Sequence, residues 1–152
     1  MINKITPVLV VDAVEPCAQF WQKLGFIRVA EVPHNDIRKR WIAGDKEVHD
    51  AMQTWAGLAQ QTRDLLVQDR GSEIAPLLNA NFDLRRTIYG DKMGLGNLQM
   101  IEAARSVGCS AKFTGSGGAI VGTYDDEAMY EALVRKMRPL GVVVCKPRIV
   151  ER

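Results

Sequence analysis

Residues 5–11, Ile-Thr-Pro-Val-Leu-Val-Val, form an apolar, β-branched run that predicts a buried strand. Helix-starting chemistry follows at once. Asp12 precedes the next apolar periodicity, Glu15 lies three residues on as in a capping box, and Pro16 falls in the first turn. Cys17, Phe20, Trp21 and Leu24 then share one helical face, and Gly25 ends it. Residues 26–32 alternate apolar and polar, which predicts a second strand and completes a β-α-β unit.

The pattern changes at Pro33. Residues 34–41 are charged and begin a helical region. Residues 46–69 place Val48, Met52, Trp55, Ala59 and Leu66 on one stripe of a long amphipathic helix, which Arg70-Gly71 breaks. Ser72 is the expected cap of the next helix. That helix turns Ile74, Leu77, Leu78, Phe82 and Ile88 inward and keeps Asp83, Arg85 and Arg86 on its polar side. Residues 90–96 carry three glycines and read as a mobile loop. Asn97 is the expected cap of a helix with Leu98, Ile101 and Ala104 inward, closed by Gly108. Residues 110–114 and 119–124 read as two strands joined by a glycine run. Asp125 or Asp126 caps a helix bearing Met129, Leu133 and Met137. Pro139-Leu140-Gly141 ends it, and residues 142–147 read as a last strand. With the strand at 26–32 the order is β-α-β-β-α-β. The predicted class is α+β: a ferredoxin-like mixed sheet with helices on one face, extra inserted helices and an added N-terminal β-α unit.

Composition narrows the setting. A chain of 152 residues predicts one domain with a real core. Hydrophobic residues make up 47% and charged residues 25%, and the formal net charge is only +2. That charge, with no aromatic side chains interleaved among basic ones, argues against a nucleic-acid partner. No apolar stretch reaches the roughly 18 residues of a membrane span, and the N-terminus reads as a strand rather than a signal peptide. Cys17, Cys109 and Cys145 are far apart and odd in number, which predicts buried free thiols and a cytoplasmic setting. His34 and His49 stand 15 apart with no third ligand at a telling spacing, so two surface histidines are expected and no metal site. Trp41 and Trp55, at helical positions, are expected in the core. Cys109 and Cys145 have no histidine nearby in sequence to serve as a base, so cysteine nucleophilic catalysis is not expected.

The run Lys112-Phe113-Thr114-Gly115-Ser116-Gly117-Gly118-Ala119 is the densest chemical signal. Glycines admit positive φ and let another group approach backbone N–H donors, so such a run either turns a hairpin or cradles an anion. It is neither a P-loop nor a dinucleotide fingerprint, because the required lysine and glycine spacings are absent. The residues assigned to a substrate or phosphate are Lys112, Thr114, Gly115, Ser116, Gly117 and Gly118, with Arg85 and Arg86. Arg38, Lys39 and Arg40 would join those two arginines in a basic patch or else form solvated helix faces.

Three segments carry a family resemblance: His34-Asn35-Asp36-Ile37-Arg38-Lys39-Arg40-Trp41, then Asn79-Ala80-Asn81-Phe82-Asp83-Leu84-Arg85-Arg86, then the glycine run from Ala111 to Ala119. In this order they resemble the C-terminal domain of GHMP small-molecule kinases, in the branch of glucuronokinase-like and heptose-kinase-like enzymes that phosphorylate sugars at the anomeric position. Ile5-Thr6-Pro7-Val8-Leu9-Val10-Val11-Asp12 and Phe20-Trp21-Gln22-Lys23-Leu24-Gly25-Phe26 resemble instead the first β-α-β of the vicinal oxygen chelate superfamily, which includes glyoxalases and bleomycin-resistance proteins. Two such resemblances imply a chimera, engineered or natural, with a seam near residues 32–34.

Phosphoryl transfer needs a phosphate cradle, Mg²⁺ ligands and a group that positions the acceptor hydroxyl. The kinase resemblance places these mainly in an N-terminal domain with a P-x-x-x-G-L-x-S-S-A motif, which the sequence does not contain. No independent catalysis and no cofactor are therefore expected, with ATP and Mg²⁺ entering only if a partner supplies the nucleotide domain. The chelate resemblance supplies no His or Glu ligand on its first strand. Two other readings stay open: part of a sugar 1-kinase completed by a separate ATP-binding domain, or a small module that binds phosphate or a sugar phosphate. A small anionic sugar is the expected ligand. The face left by the kinase partner domain is an expected route to a homo-oligomer.

Overall fold

The structure, a computed structural model, describes residues 19, 20, 22, 23, 33–115 and 117–147. By internal contacts the chain divides into two units, Met1–Val32 and Pro33–Arg152. In the first, residues 19, 20, 22 and 23 are helical, where the sequence predicts a helix. The strands expected at 5–11 and 26–32 lie outside the described residues.

The second unit is α+β and mostly helical. Helix α1 spans Pro33–Ile42 and α2 spans Lys46–Val67. A 3-10 turn at Gly71–Ile74 leads into α3, Ala75–Tyr89, and a second 3-10 turn at Gly90–Met93 leads into α4, Leu95–Arg105. Strands β1, Lys112–Phe113, and β2, Ile120–Val121, pair antiparallel, with Lys112 opposite Val121 and Phe113 opposite Ile120. Helix α5, Glu127–Met137, and a 3-10 turn at Arg138–Leu140 follow. Among the described residues no helix is long and apolar enough to cross a membrane.

Asp45 starts α2 for a clear physical reason. Its carboxylate accepts from the backbone N–H groups of Glu47 and Val48 at 3.0 and 3.4 Å, satisfying donors that a first helical turn leaves unpaired. Asp126 does the same for α5, accepting from Met129 N–H at 2.8 Å. Two expected caps are corrected. Ser72 sits inside the 3-10 turn, and α3 begins at Ala75 with Pro76 in its first turn, where the missing N–H costs nothing. Asn97 lies inside α4, whose cap position is Gly94.

Two apolar clusters make the core. The larger joins Phe82, Met93, Ile101, Ala104, Cys109, Ala111, Phe113 and Met137. The smaller joins Ile37, Val48, Ala51 and Ile88. Tyr89 packs against both. On α2 the inward stripe differs from the expected one. Val48 and Ala51 are buried and Trp55, Leu58 and Leu65 half-buried, a spacing of three and four, whereas Met52, Ala59 and Leu66 face water. Trp55 is anchored through its indole N–H to the Asn81 carbonyl at 3.1 Å. Trp41 is exposed rather than in the core, and His49 is half-buried: their rings stack 3.8 Å apart and His49 Nε2 lies 3.0 Å from the Trp41 carbonyl oxygen.

The segment expected to be a mobile loop, 90–96, is instead a 3-10 turn and the start of α4, because Met93 is drawn into the larger cluster. The strand expected at 142–147 forms no ladder among the described residues. Its alternation is real: Val142 and Val144 pack on the core while Val143 is 89% exposed. Apolar contact, not strand pairing, holds it. Cys109 is buried as expected, whereas Cys145 is exposed, and Cys17 lies outside the described residues.

Candidate functional site

The glycine run links β1 to β2. Thr114 closes its base: its backbone N–H donates to the Ala119 carbonyl at 3.3 Å, and its hydroxyl reaches the same oxygen at 3.4 Å. Two side chains from different helices then hold the loop. Arg85 of α3 donates through Nη1 to the Gly115 carbonyl at 2.8 Å. Asn97 of α4 accepts from the Gly118 backbone N–H through Oδ1 at 2.8 Å. Gly117 sits between these anchors at φ +140°, and a Cβ there would lie 2.7 Å from Asn97 Nδ2. Glycine is required at this position by both backbone conformation and space. Ser116 lies outside the described residues.

Several residues expected at a ligand have partners within the chain. Arg85 grips the loop's own backbone. Its guanidinium also sits over the rings of Tyr89 and Phe113, 5.1 and 5.3 Å from their centroids, so aromatic faces surround a buried Nε that lacks a hydrogen-bond partner. Arg86 faces water and lies 3.6 Å from Glu102 Oε1. The Lys112 ammonium donates to the Phe113 carbonyl at 2.8 Å. Arg40 is committed elsewhere, donating to Asp45 at 2.6 Å, to Glu47 at 2.7 Å and to the Ile88 carbonyl at 3.4 Å. Its partner Asp45 is held below the ordinary carboxylate pKa by that hydrogen bond. Arg40 thus ties α1 to α2 and α3.

Asn79, Phe82 and Asp83 of the motif at 79–86, with Arg105, clamp the strand segment. Asn79 Oδ1 accepts from the N–H of fully buried Ala111 at 3.0 Å. Arg105 donates to Asp83 at 2.6 Å, to the Asn79 carbonyl at 3.0 Å and to the Ala111 carbonyl at 3.4 Å. Phe82 meets Phe113 edge to face at 5.3 Å. Behind the strands, Gly122 approaches Ser110 so closely that a Cβ would lie 1.8 Å from the Ser110 carbonyl oxygen. Ser110 and Thr123 hydroxyls bond at 2.8 Å on the same seam.

Sequence reasoning missed Asn97 and Arg105. Asn97 reads locally as a helix cap, no local pattern singles out Arg105, and their partners Gly118 and Asp83 are distant in sequence. Beside Asn97 lies a cleft of about 590 Å³ lined by Gly94, Gly96, Asn97, Gln99, Met100, Pro139, Leu140 and Val142. Among the described residues no group of three or more His, Cys, Asp or Glu is placed to hold a metal ion. Burial pushes the Cys109 thiol pKa up, and the Asp125 charge adds to it.

The arrangement is a pinned, glycine-rich loop beside an open cleft. The family described as GHMP kinases C terminal matches residues 62–141. The chain is 45% identical over 89 residues to probable glucuronokinase 2 of Arabidopsis thaliana, which covers 58% of this chain and 24% of that protein. It is 43% identical over 89 residues to glucuronokinase 1 of the same plant, 58% of this chain and 25% of that one. The chain thus matches about a quarter of the length of these curated relatives. No solved structure gives a significant match.

Proposed function

The chain belongs to the GHMP kinase C-terminal family, and on that premise we propose that it is the C-terminal part of a sugar kinase of the glucuronokinase kind. The reaction would move the γ-phosphoryl group of ATP to the anomeric hydroxyl of a sugar acid, leaving ADP and a sugar 1-phosphate. The 45% identity to a glucuronokinase, over a segment of 89 residues, carries this reading. The pinned loop supports it, because a phosphate-facing loop gains from being held in place before the ligand arrives.

Among the described residues no group of three or more His, Cys, Asp or Glu is placed to hold a metal ion, and the sequence has no P-x-x-x-G-L-x-S-S-A motif. ATP and Mg²⁺ would be held by a nucleotide-binding part beyond these residues. What this chain would contribute is loop 114–119 and the cleft beside Asn97, which position the acceptor sugar and its developing phosphate. Exposed Leu95 and Val143, next in sequence to residues of that cleft, fit a face covered by the nucleotide-binding part. The family match begins at residue 62, so the kinase reading does not depend on the chelate-like resemblance of residues 1–32.

The test mixes the chain with an N-terminal fragment of a plant glucuronokinase that ends before the matching segment. Mg²⁺-ATP and glucuronate, other hexoses or heptose phosphates are added, and ADP is followed. The expected result is turnover with glucuronate in the mixture, none from either piece alone, and loss of turnover on Gly117→Val. Silence of the mixture with every sugar, while both pieces remain folded, would overturn the proposal.

A further inference from the structure

Asn97 makes two side-chain hydrogen bonds to backbone that is distant in role. Its Oδ1 accepts the Gly118 N–H at 2.8 Å, and its Nδ2 donates to the Met93 carbonyl at 2.7 Å. One amide therefore bridges the glycine loop 115–118 and the 3-10 turn Gly90–Met93. The second of these is not free to drift, because Met93 is buried in the larger core cluster beside Phe113, Phe82 and Ile101. The contact is also sterically tight on the loop side, where a Cβ on Gly117 would meet Nδ2 at 2.7 Å, Cγ at 3.2 Å and Oδ1 at 3.3 Å. An amide suits this place because it offers a donor and an acceptor at once, whereas a carboxylate accepts only and a hydroxyl is too short.

We infer that Asn97 is a positioning residue that couples the glycine loop to the Gly90–Met93 turn, so that a displacement of either one is transmitted to the other. The inference deepens the proposed function: it names the side chain that would set the loop's conformation for the acceptor's phosphate. It stands on geometry within this chain and needs no kinase activity to be tested. A loop held only at Gly115 by Arg85 would pivot about that end, whereas the second hold at Gly118 fixes its far side. The Met93 link then ties the far side to the core instead of to solvent.

The test is a double-mutant cycle on the full chain, read by amide hydrogen exchange at residues 90–94 and 115–118. Asn97→Ala is expected to speed Gly118 amide exchange about fivefold to tenfold, as the loss of one hydrogen bond predicts. Gly117→Ala is expected to disturb residues 90–94 as well as its own loop when Asn97 is present, and to leave 90–94 untouched in the Asn97→Ala background. Asn97→Asp keeps the acceptor for Gly118 and loses the donor to Met93, so it should protect the loop amide while freeing the turn. Circular dichroism on each variant checks that the fold is kept. If Gly117→Ala leaves 90–94 unchanged in the parent chain, or disturbs it equally without Asn97, the coupling is wrong. Either result would leave the kinase assay unaffected, so the two ideas fail separately.

Discussion

Asp45 caps α2 and ties it to α1 by hydrogen bonds, and its chemistry makes it sensitive to acid. Its carboxylate accepts from two backbone N–H groups and from Arg40, whose hydrogen bond is the chief reason its pKa lies below the usual range. A group with a lowered folded pKa contributes stability that is present above the ordinary carboxylate value and is lost as pH falls through the folded value. Asp45→Asn should lower the melting temperature at pH 7, and the gap to the parent protein should narrow as the pH falls below about 4. A gap of constant size across that range, followed by scanning calorimetry, would show that the carboxylate's charge is not what matters. At this scale the sequence was informative where partners are near: a cap at Asp125 or Asp126 was legible, and Asp126 fills it by accepting from Met129 N–H three residues on. Asn97 was not, because a residue type that suits a cap suits a tertiary bridge equally well.

The elements follow mostly from periodicity and stop signals. Residues 33–42, 46–67, 75–89, 95–105 and 127–137 are helical close to where apolar spacing and capping chemistry predict. The strands are shorter than their apolar runs, two residues each, since the glycine run and the Ser110–Thr123 seam take over the hydrogen bonding at either end. The seam makes a sharp prediction. Gly122→Ala forces a methyl group onto the Ser110 carbonyl oxygen, where the backbone leaves 1.8 Å. Because both neighbours are backbone, no side-chain rotation relieves the clash. The variant should lose several degrees of melting temperature and the protection of the Ser110 and Thr123 amides, while Gly115→Ala, with no atom within 4 Å of its new Cβ, should melt close to the parent. Equal melting of the two variants would refute the close approach.

Across the second unit, Pro33–Arg152, the two apolar clusters share Tyr89, and the 79–86 segment of α3 faces the strands from one side while Leu84 and Ile88 serve the smaller cluster. The unit should therefore unfold cooperatively. Phe82, 1% exposed and in edge-to-face contact with Phe113, is the centre of the larger cluster. Phe82→Ala should cost about 3–5 kcal/mol. The shift should be the same by tryptophan fluorescence, which includes Trp55 in the smaller cluster, and by far-ultraviolet circular dichroism. Two separated transitions would mean the clusters fold independently.

Local chemistry written into the chain accounts for the run of helices, the cap of α5 and the glycine run that had to be a turn or a cradle, because those depend on residues within one or two turns of each other; the caps expected at Ser72 and Asn97 and the stripe expected on α2 gave way to tertiary packing. The resemblance of the motifs at 79–86 and 111–119 to a sugar-kinase domain was likewise readable, and the family match over 62–141 bears it out. What was not readable is the partner Arg85 finds within the chain, the Gly115 carbonyl 30 residues away. The same holds for Asn79 on Ala111, Arg105 on Asp83 and Asn97 on Gly118. A polar side chain's partner is set by which backbone groups packing brings within about 3 Å, and that distance exists only once the helices have closed on the strands.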